Sequence, residues 1–201
     1  MSENFFANTS CIILSAGSSE RMGMHKALLK FDNNHTFLSK IAKTYAKVGV
    51  EQILVVISAE LLSILNEKIQ TLPEKVLFVL NDNPGLGRFY SLQSGVQNLI
   101  KNNHCFFQNI DNPLVSENVL ENLITHKHKA DVLIPVFENK PGHPVLFGPY
   151  VTQEIMKRVE PGIRIDYFLK RLNTKRIEFQ DKSIVVNINS QEDYLAAGFQ
   201  F

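Results

Sequence analysis

Cysteine is scarce in this chain, with only Cys11 and Cys105 among 201 residues. Each opens an apolar run, so buried free thiols in a reducing compartment are expected rather than a disulfide framework. Neither sign of charge is in excess: 21 Lys and Arg face 20 Asp and Glu, a formal net charge of +1. Phosphate backbones are usually met by a clear cationic surplus, so a nucleic-acid partner is not expected. No apolar run approaches the length that crosses a bilayer. The opening "MSENFFANTS" has an acidic residue and no basic stretch before its short apolar pair, unlike a secretory signal, so the expected location is cytoplasmic. No internal repeat, low-complexity tract or Pro-, Gly- or Ser-rich linker divides the chain, and residues 1–201 read as one domain. Such a domain buries roughly 70% of the surface its unfolded chain exposes.

What fills the chain is an alternation of apolar runs and helical patterns. Strands are expected at "CIIL" (11–14), "QILVVIS" (52–58), "KVLFVL" (75–80), "CFFQNI" (105–110), "DVLIPVF" (131–137) and "IVVNI" (184–188). Most are continuous rather than alternating, as suits strands covered on both faces of a largely parallel sheet. After Thr36, an N-cap candidate, Phe37, Leu38, Ile41, Ala42, Tyr45 and Val48 form one apolar stripe that stops at Gly49. Segments 60–69, 89–100, 116–124 and 165–172 behave similarly, with Ser116 a second cap. This alternation implies an α/β sandwich with right-handed crossovers, whose ligands bind beyond the carboxyl ends of the strands.

Three such loops carry residues suited to chemistry. The first runs from Ala16 to Lys26, "AGSSERMGMHK". Its glycines permit close approach of a ligand to the backbone, and successive N–H groups there can form an anion-binding concavity. Arg21 adds a planar fork and Lys26 a compact point charge. The loop is neither a Walker A motif nor a dinucleotide G-x-G-x-x-G turn, and a surface loop with solvated charges is the competing reading. In the second, "FFQNIDNPLVS", Asp111 ends an apolar strand just before a turn with Pro113. A carboxylate there either holds a hard cation such as Mg²⁺ or bonds its own backbone in an Asx turn. In the third, "VVNINSQEDY", Asn187 and Asn189 alternate with apolar residues at the end of the last expected strand and so share one face. They read either as an edge strand leading to a Ser190 cap, or as the source of an amide oxygen that completes a metal site. The paired histidines of "HKHK" (126–129) read as a solvated helix end, where cations suit the dipole. Ser91 reads as a helix residue rather than a nucleophile.

In combination these segments resemble a known family. "LSAGSSERMGMHKALLKF" resembles the pattern L-A-A-G-x-S-x-R-M-G-x-x-K-x-L-L that opens the MobA-like nucleotidyltransferases, especially the molybdenum cofactor cytidylyltransferase branch. "GLGRFYSLQSG" is similar to the family's G-x-x-x-S-L-x-x-G at Gly87, Ser91, Leu92 and Gly95, and "IDNPLV" to its G-D-x-P-L-V metal loop. "GHPVLF" (142–147) matches its G-H-P-V segment, and "EPGIR" resembles D-x-G-x-R at Gly162 and Arg164. "NINSQEDY" resembles the N-x-N-T-P-E-D ending of the guanylyltransferase branch, so the first motif leans to cytidylyl transfer and the last to guanylyl transfer.

The resemblance implies a three-layer α/β/α, Rossmann-like nucleotidyltransferase fold with a mostly parallel sheet. It implies Mg²⁺-dependent transfer of CMP or GMP from a nucleoside triphosphate to a phosphorylated small molecule, foremost molybdopterin, with release of pyrophosphate. A sugar or alditol phosphate is the alternative acceptor, and a nucleotide-binding protein without turnover the alternative role. A molybdoenzyme is the implied protein partner. Residue by residue, Ala16, Gly17, Ser18 and Ser19 would line the nucleotide, together with Gly87 and Ser91. Arg21 would bind the β- and γ-phosphates, and Lys26 would neutralise charge on the α-phosphate. Asp111 would bind Mg²⁺, with Asn187 or Asn189 as a second ligand, and His143 would lie toward the acceptor. The chain departs from the pattern at Ser15, at Ile110 (where the family has Gly before the metal Asp), at the bulky "RFY" (88–90) and at Pro141. Arg88 is either a solvated first-turn residue or a reach toward phosphate or acceptor.

Overall fold

Every residue of the first strand, β1 (Thr9–Ser15), is buried, because strands flank it on both edges and helices cover both faces. The computed structural model describes residues 5–17, 22–65, 72–158 and 162–200. After β1 come α1 (Phe37–Val48), β2 (Gln52–Ile57), α2 (Ala59–Leu65), β3 (Val76–Leu80) and α3 (Arg88–Gln97). There follow β4 (His104–Asn109), α4 (Glu117–Thr125), β5 (Val132–Phe137), β6 (Lys140–Pro141) and β7 (Val145–Phe147). The chain finishes with α5 (Pro149–Met156), α6 (Ile165–Leu169), β8 (Thr174–Glu178) and α7 (Gln191–Ala196).

Among the described residues the sheet runs β3-β2-β1-β4-β7-β5, with β6 and β8 also paired to β5. Strands β3, β2, β1 and β4 are parallel, β7 is antiparallel to both β4 and β5, and β8 is parallel to β5. Successive side chains of a strand point to opposite faces. Cys11 and Ile13 therefore pack with α1, α2, α4 and α7, while Ile12 and Leu14 pack with α3, α5 and α6. The result is the expected three-layer α/β/α sandwich. Cys11 and Cys105 are free, buried and on opposite faces, and burial pushes both thiols well above their ordinary value. No helix among the described residues is long and apolar enough to cross a membrane.

The expected caps are present. Thr36 and Ser39 form a reciprocal capping box, Gly49 ends α1 in the left-handed region, and the Ser116 hydroxyl accepts from the Val119 N–H. Two segments depart from expectation. Residues 184–188 are not a strand: Lys182–Val185 is a 3-10 turn, and 186–189 form no ladder. The edge of β5 that a last strand would use is taken by β8, a polar stretch in which only Ile177 is buried. The backbone of 184–188 bonds to loops instead: Ile184 O accepts from His143 N, and Ile188 N donates to Asp111 O. The short β7 and helix α5 were likewise not expected. Of segment 60–69, positions 66–69 lie outside the described residues.

Helix α3 packs tightly against β1 and β2 at Gly95. A Cβ there would stand 2.8 Å from Ile12 Cγ2 and 3.1 Å from Val56 Cγ2. Overpacking costs about 1–3 kcal/mol, against the roughly 1 kcal/mol that Ala gains over Gly inside a helix. Gly95→Ala is therefore expected to lower stability in urea unfolding at an unchanged m-value. A variant as stable as the parent would overturn the close approach.

Candidate active site

Three stretches distant in sequence meet beyond the carboxyl ends of β1 and β4. From β1 the chain passes through buried Ala16 and exposed Gly17. Ser18, Ser19 and Arg21 lie outside the described residues, as do Glu160 and Pro161 of "EPGIR". The loop returns in a 3-10 turn, Lys26–Leu28, pinned to the core by Ala27 and Leu29. Lys26 Nζ donates to Asn189 Oδ1 at 2.7 Å and stands 3.6 Å from Asp111 Oδ2. With side chains only 12% and 24% exposed, Lys26 and Asp111 form a sheltered pair, unlike the surface ion pairs that contribute little.

The end of β4 determines where Asp111 stands. Alternation sends Gln108 and Asn109 to opposite faces. Gln108, fully buried, accepts from the Tyr45 hydroxyl at 3.0 Å and donates to the carbonyls of Asn109 and Asn112 at 2.9 and 3.0 Å. Asn112 donates to Val186 O at 2.8 Å and to Asn187 Oδ1 at 2.7 Å, and Ile188 N donates to Asp111 O at 2.8 Å. The aspartate loop is thus braced from the core by one amide and from its side by the carboxyl-terminal segment. Ile110 donates to Leu14 O at 3.1 Å and buries its side chain, without a positive φ, so the glycine usual before the aspartate is not required here. Asn187 and Asn189 do not share a strand face: the first turns to Asn112, the second to Lys26. Asn189 is oriented by its own N–H, which donates to Asp193 Oδ2 at 2.8 Å; backbone donors, that one first, hold the Asp193 carboxyl below its ordinary value.

Asp111 Oδ1 is buried and has no hydrogen-bond partner among the described residues. Such an oxygen is costly unless a ligand supplies a donor or a cation. Mg²⁺ typically takes one or two carboxylates and fills its shell with water and substrate phosphates, so one carboxylate beside amide oxygens fits it in kind. Among the described residues no three His, Cys, Asp or Glu side chains gather to hold a metal ion, at this site or elsewhere, so Asp111 is the one such ligand here.

On the opposite face of β4, Arg88 Nη2 donates to Asn109 Oδ1 at 2.7 Å, and Asn109 Nδ2 lies 2.8 Å from His143 Nε2. The "GHP" segment presses on the turn before 186–189: a Cβ on Gly142 would stand 2.5 Å from Ile184 O, and His143 N donates to that same oxygen at 2.9 Å. Loss of hydration, then the Arg88 charge, lowers His143 from 6.5 to about 4. The Ser91 hydroxyl is committed, accepting from Asn81 Nδ2 at 2.8 Å and donating to Gly87 O at 3.4 Å, so it stiffens the turn before α3. Gln108, Asn109 and Asn112 were not singled out from the sequence. Three amides crowded around one aspartate at the end of an apolar strand were the available signal.

The chain is similar to known proteins over most of its length. Residues 11–174 match the MobA-like NTP transferase domain. The chain is 23% identical to the molybdenum cofactor cytidylyltransferase of Escherichia coli (strain K12), over 93% of this chain and 94% of that protein. It is 30% identical to a probable molybdenum cofactor guanylyltransferase of Clostridium perfringens (strain SM101 / Type A), over 65% of this chain and 61% of that one. A nucleotidyl transferase from Methanothermobacter thermautotroptrophicus shares the fold with a TM-score of 0.77 at 22% identity, covering 94% of this chain and 95% of that one.

Folding holds His143 neutral, so the unfolded chain binds the extra proton as pH falls below 6.5. The stability owed to this ring is complete above pH 6.5 and is lost on the way down to pH 4. Between pH 7 and 4.5, His143→Gln is expected to shrink the parent's loss of unfolding free energy by on the order of 2 kcal/mol. Identical pH dependence in the two proteins would overturn the neutral assignment.

Proposed function

The chain belongs to the MobA-like NTP transferase domain family, and from that premise we propose that it transfers CMP or GMP from a nucleoside triphosphate to the phosphate of a small molecule, molybdopterin, releasing pyrophosphate. The observation that carries this reading is the sheltered meeting of Lys26, Asp111 and Asn189, with one carboxylate oxygen unpartnered among the described residues. The molybdenum cofactor names of both curated relatives support the acceptor, and one being a cytidylyl- and the other a guanylyltransferase keeps both bases in the proposal. Balanced charge and buried free thiols support a cytoplasmic setting, with a molybdoenzyme as recipient of the product.

In the proposed reaction an acceptor phosphate oxygen bonds to the α-phosphorus while the bond from that phosphorus to the bridging oxygen breaks and pyrophosphate leaves. Both reactants are anions, so positioning and charge stabilisation dominate the chemistry. Ala16, Gly17, Ser18 and Ser19 line the nucleotide in this scheme, and Gly87 and Ser91 contribute the shape of their turn. Arg21 meets the β- and γ-phosphates. Lys26, presented by Asn189, puts its charge on the α-phosphate. Asp111, with Asn189 or Asn187, would hold Mg²⁺, which when bound acts as a Lewis acid on the reacting phosphate oxygens. Arg88 and His143 stand on the acceptor side.

Pyrophosphate release with Mg²⁺, molybdopterin and either CTP or GTP tests the scheme. Asp111→Asn is expected to reduce turnover by about 10²–10³, the usual cost of removing one preorganised charge, at an unchanged circular dichroism spectrum. Turnover that survived the substitution would discard the metal assignment.

A further inference from the structure

Arg88 opens α3, where the helix dipole favours acids rather than cations. The first turn has no acidic residue and no side-chain cap, and among the described residues Arg88 forms no salt bridge. Neither helix stability nor ion pairing accounts for the charge. Instead the guanidinium is held at 2.7 Å by Asn109, a neutral and buried side chain.

The hydrogen-bond logic gives this chain a single direction. Arginine only donates, so the atom of Asn109 facing it is the oxygen. The amide nitrogen must then face His143 Nε2 and donate to it, which requires a neutral imidazole protonated at Nδ1. Turning the Asn109 amide over would set its nitrogen against the Arg88 donor and lose that bond. Asn109 therefore fixes the guanidinium by one nitrogen without neutralising it, while the residue as a whole remains exposed. Asn109 is two positions before Asp111, and the charges of Arg88 and Asp111 both act on His143. The fork and the carboxylate thus belong to one neighbourhood.

We propose that Arg88 is the residue that recognises the acceptor's phosphate group, and that Asn109, braced by His143, is its positioning residue. A planar fork suits bidentate contact with phosphate oxygens, and pre-holding one nitrogen lowers the entropy lost when the rest engages. Only the word acceptor rests on the transferase reading; the phosphate contact rests on the geometry of Arg88 and Asn109.

The test is ¹⁵N-arginine NMR of the full chain titrated with inorganic phosphate, without nucleotide. The Arg88 Nε–H resonance is assigned by its disappearance in Arg88→Lys. It is expected to shift saturably with phosphate and much less with acetate. Asn109→Leu and His143→Leu are expected to weaken phosphate at this resonance about tenfold, the worth of one charge-assisted hydrogen bond. His143→Gln keeps an acceptor oxygen for Asn109 and should restore affinity to within about threefold of the parent, a rescue that a loss of packing would not give. CTP and GTP affinities should stay within about twofold in all three variants, since the nucleotide meets other residues. An Arg88 signal that ignores phosphate, equal shifts with acetate, an Asn109→Leu titration like the parent's, or a parallel loss of nucleotide affinity would each overturn the proposal. Failure of the parent to bind either nucleotide, with the Arg88 titration intact, would sink the transferase reading and leave this contact standing.

Discussion

A single ammonium group, Lys26 Nζ, ties together stretches of chain that are far apart in sequence. It lies 2.7 Å from an amide oxygen at residue 189 and 3.6 Å from a carboxylate at residue 111. Sheltered from water, this arrangement is tolerable only because opposite charge and a good acceptor are both supplied. It also gathers oxygen donors of the kind a hard cation takes, one carboxylate and one amide. Asp111 Oδ1, unpartnered among the described residues, marks where a ligand's donor or cation would be accepted.

Around that charged centre, the bracing comes largely from amides. Gln108 holds the carbonyls on either side of the aspartate loop, Asn112 ties that loop to the carboxyl-terminal segment, and Asn109 holds Arg88. Each amide sits at or just beyond the end of β4, and each is buried. An amide offers both a donor and an acceptor without adding net charge, so it can brace a binding site without competing for the ligand's charge. This explains why the last two residues of an apolar strand are polar: Gln108 braces one layer of the sandwich and Asn109 the other.

Much of the fold was readable from periodicity. Continuous apolar runs at β1, β2 and β4 are covered on both faces, and the Thr36, Ser116 and Ser190 caps act through local hydrogen bonds that neighbouring residues suffice to set. Residues 184–188 misled because an apolar run reports burial, not pairing. Ile184 and Ile188 are indeed buried, but their backbone groups serve the "GHP" segment and the aspartate loop. Strand β8 was invisible for the converse reason: a polar edge segment such as "TKRIE" pairs through its backbone and leaves almost no apolar trace.

By itself the sequence determined the α/β alternation of the sandwich, the loop that follows the first strand, and the candidate status of Lys26 and Asp111, because spacing and residue chemistry are local properties. Only the tertiary structure decided that Asn189 rather than Asn187 faces Lys26, that Ser91 is committed to its own turn, and that Asn109 links Arg88 to a neutral His143. These are choices among partners remote in the chain. They are settled by which loops the sheet brings to one end, and no short-range pattern encodes that.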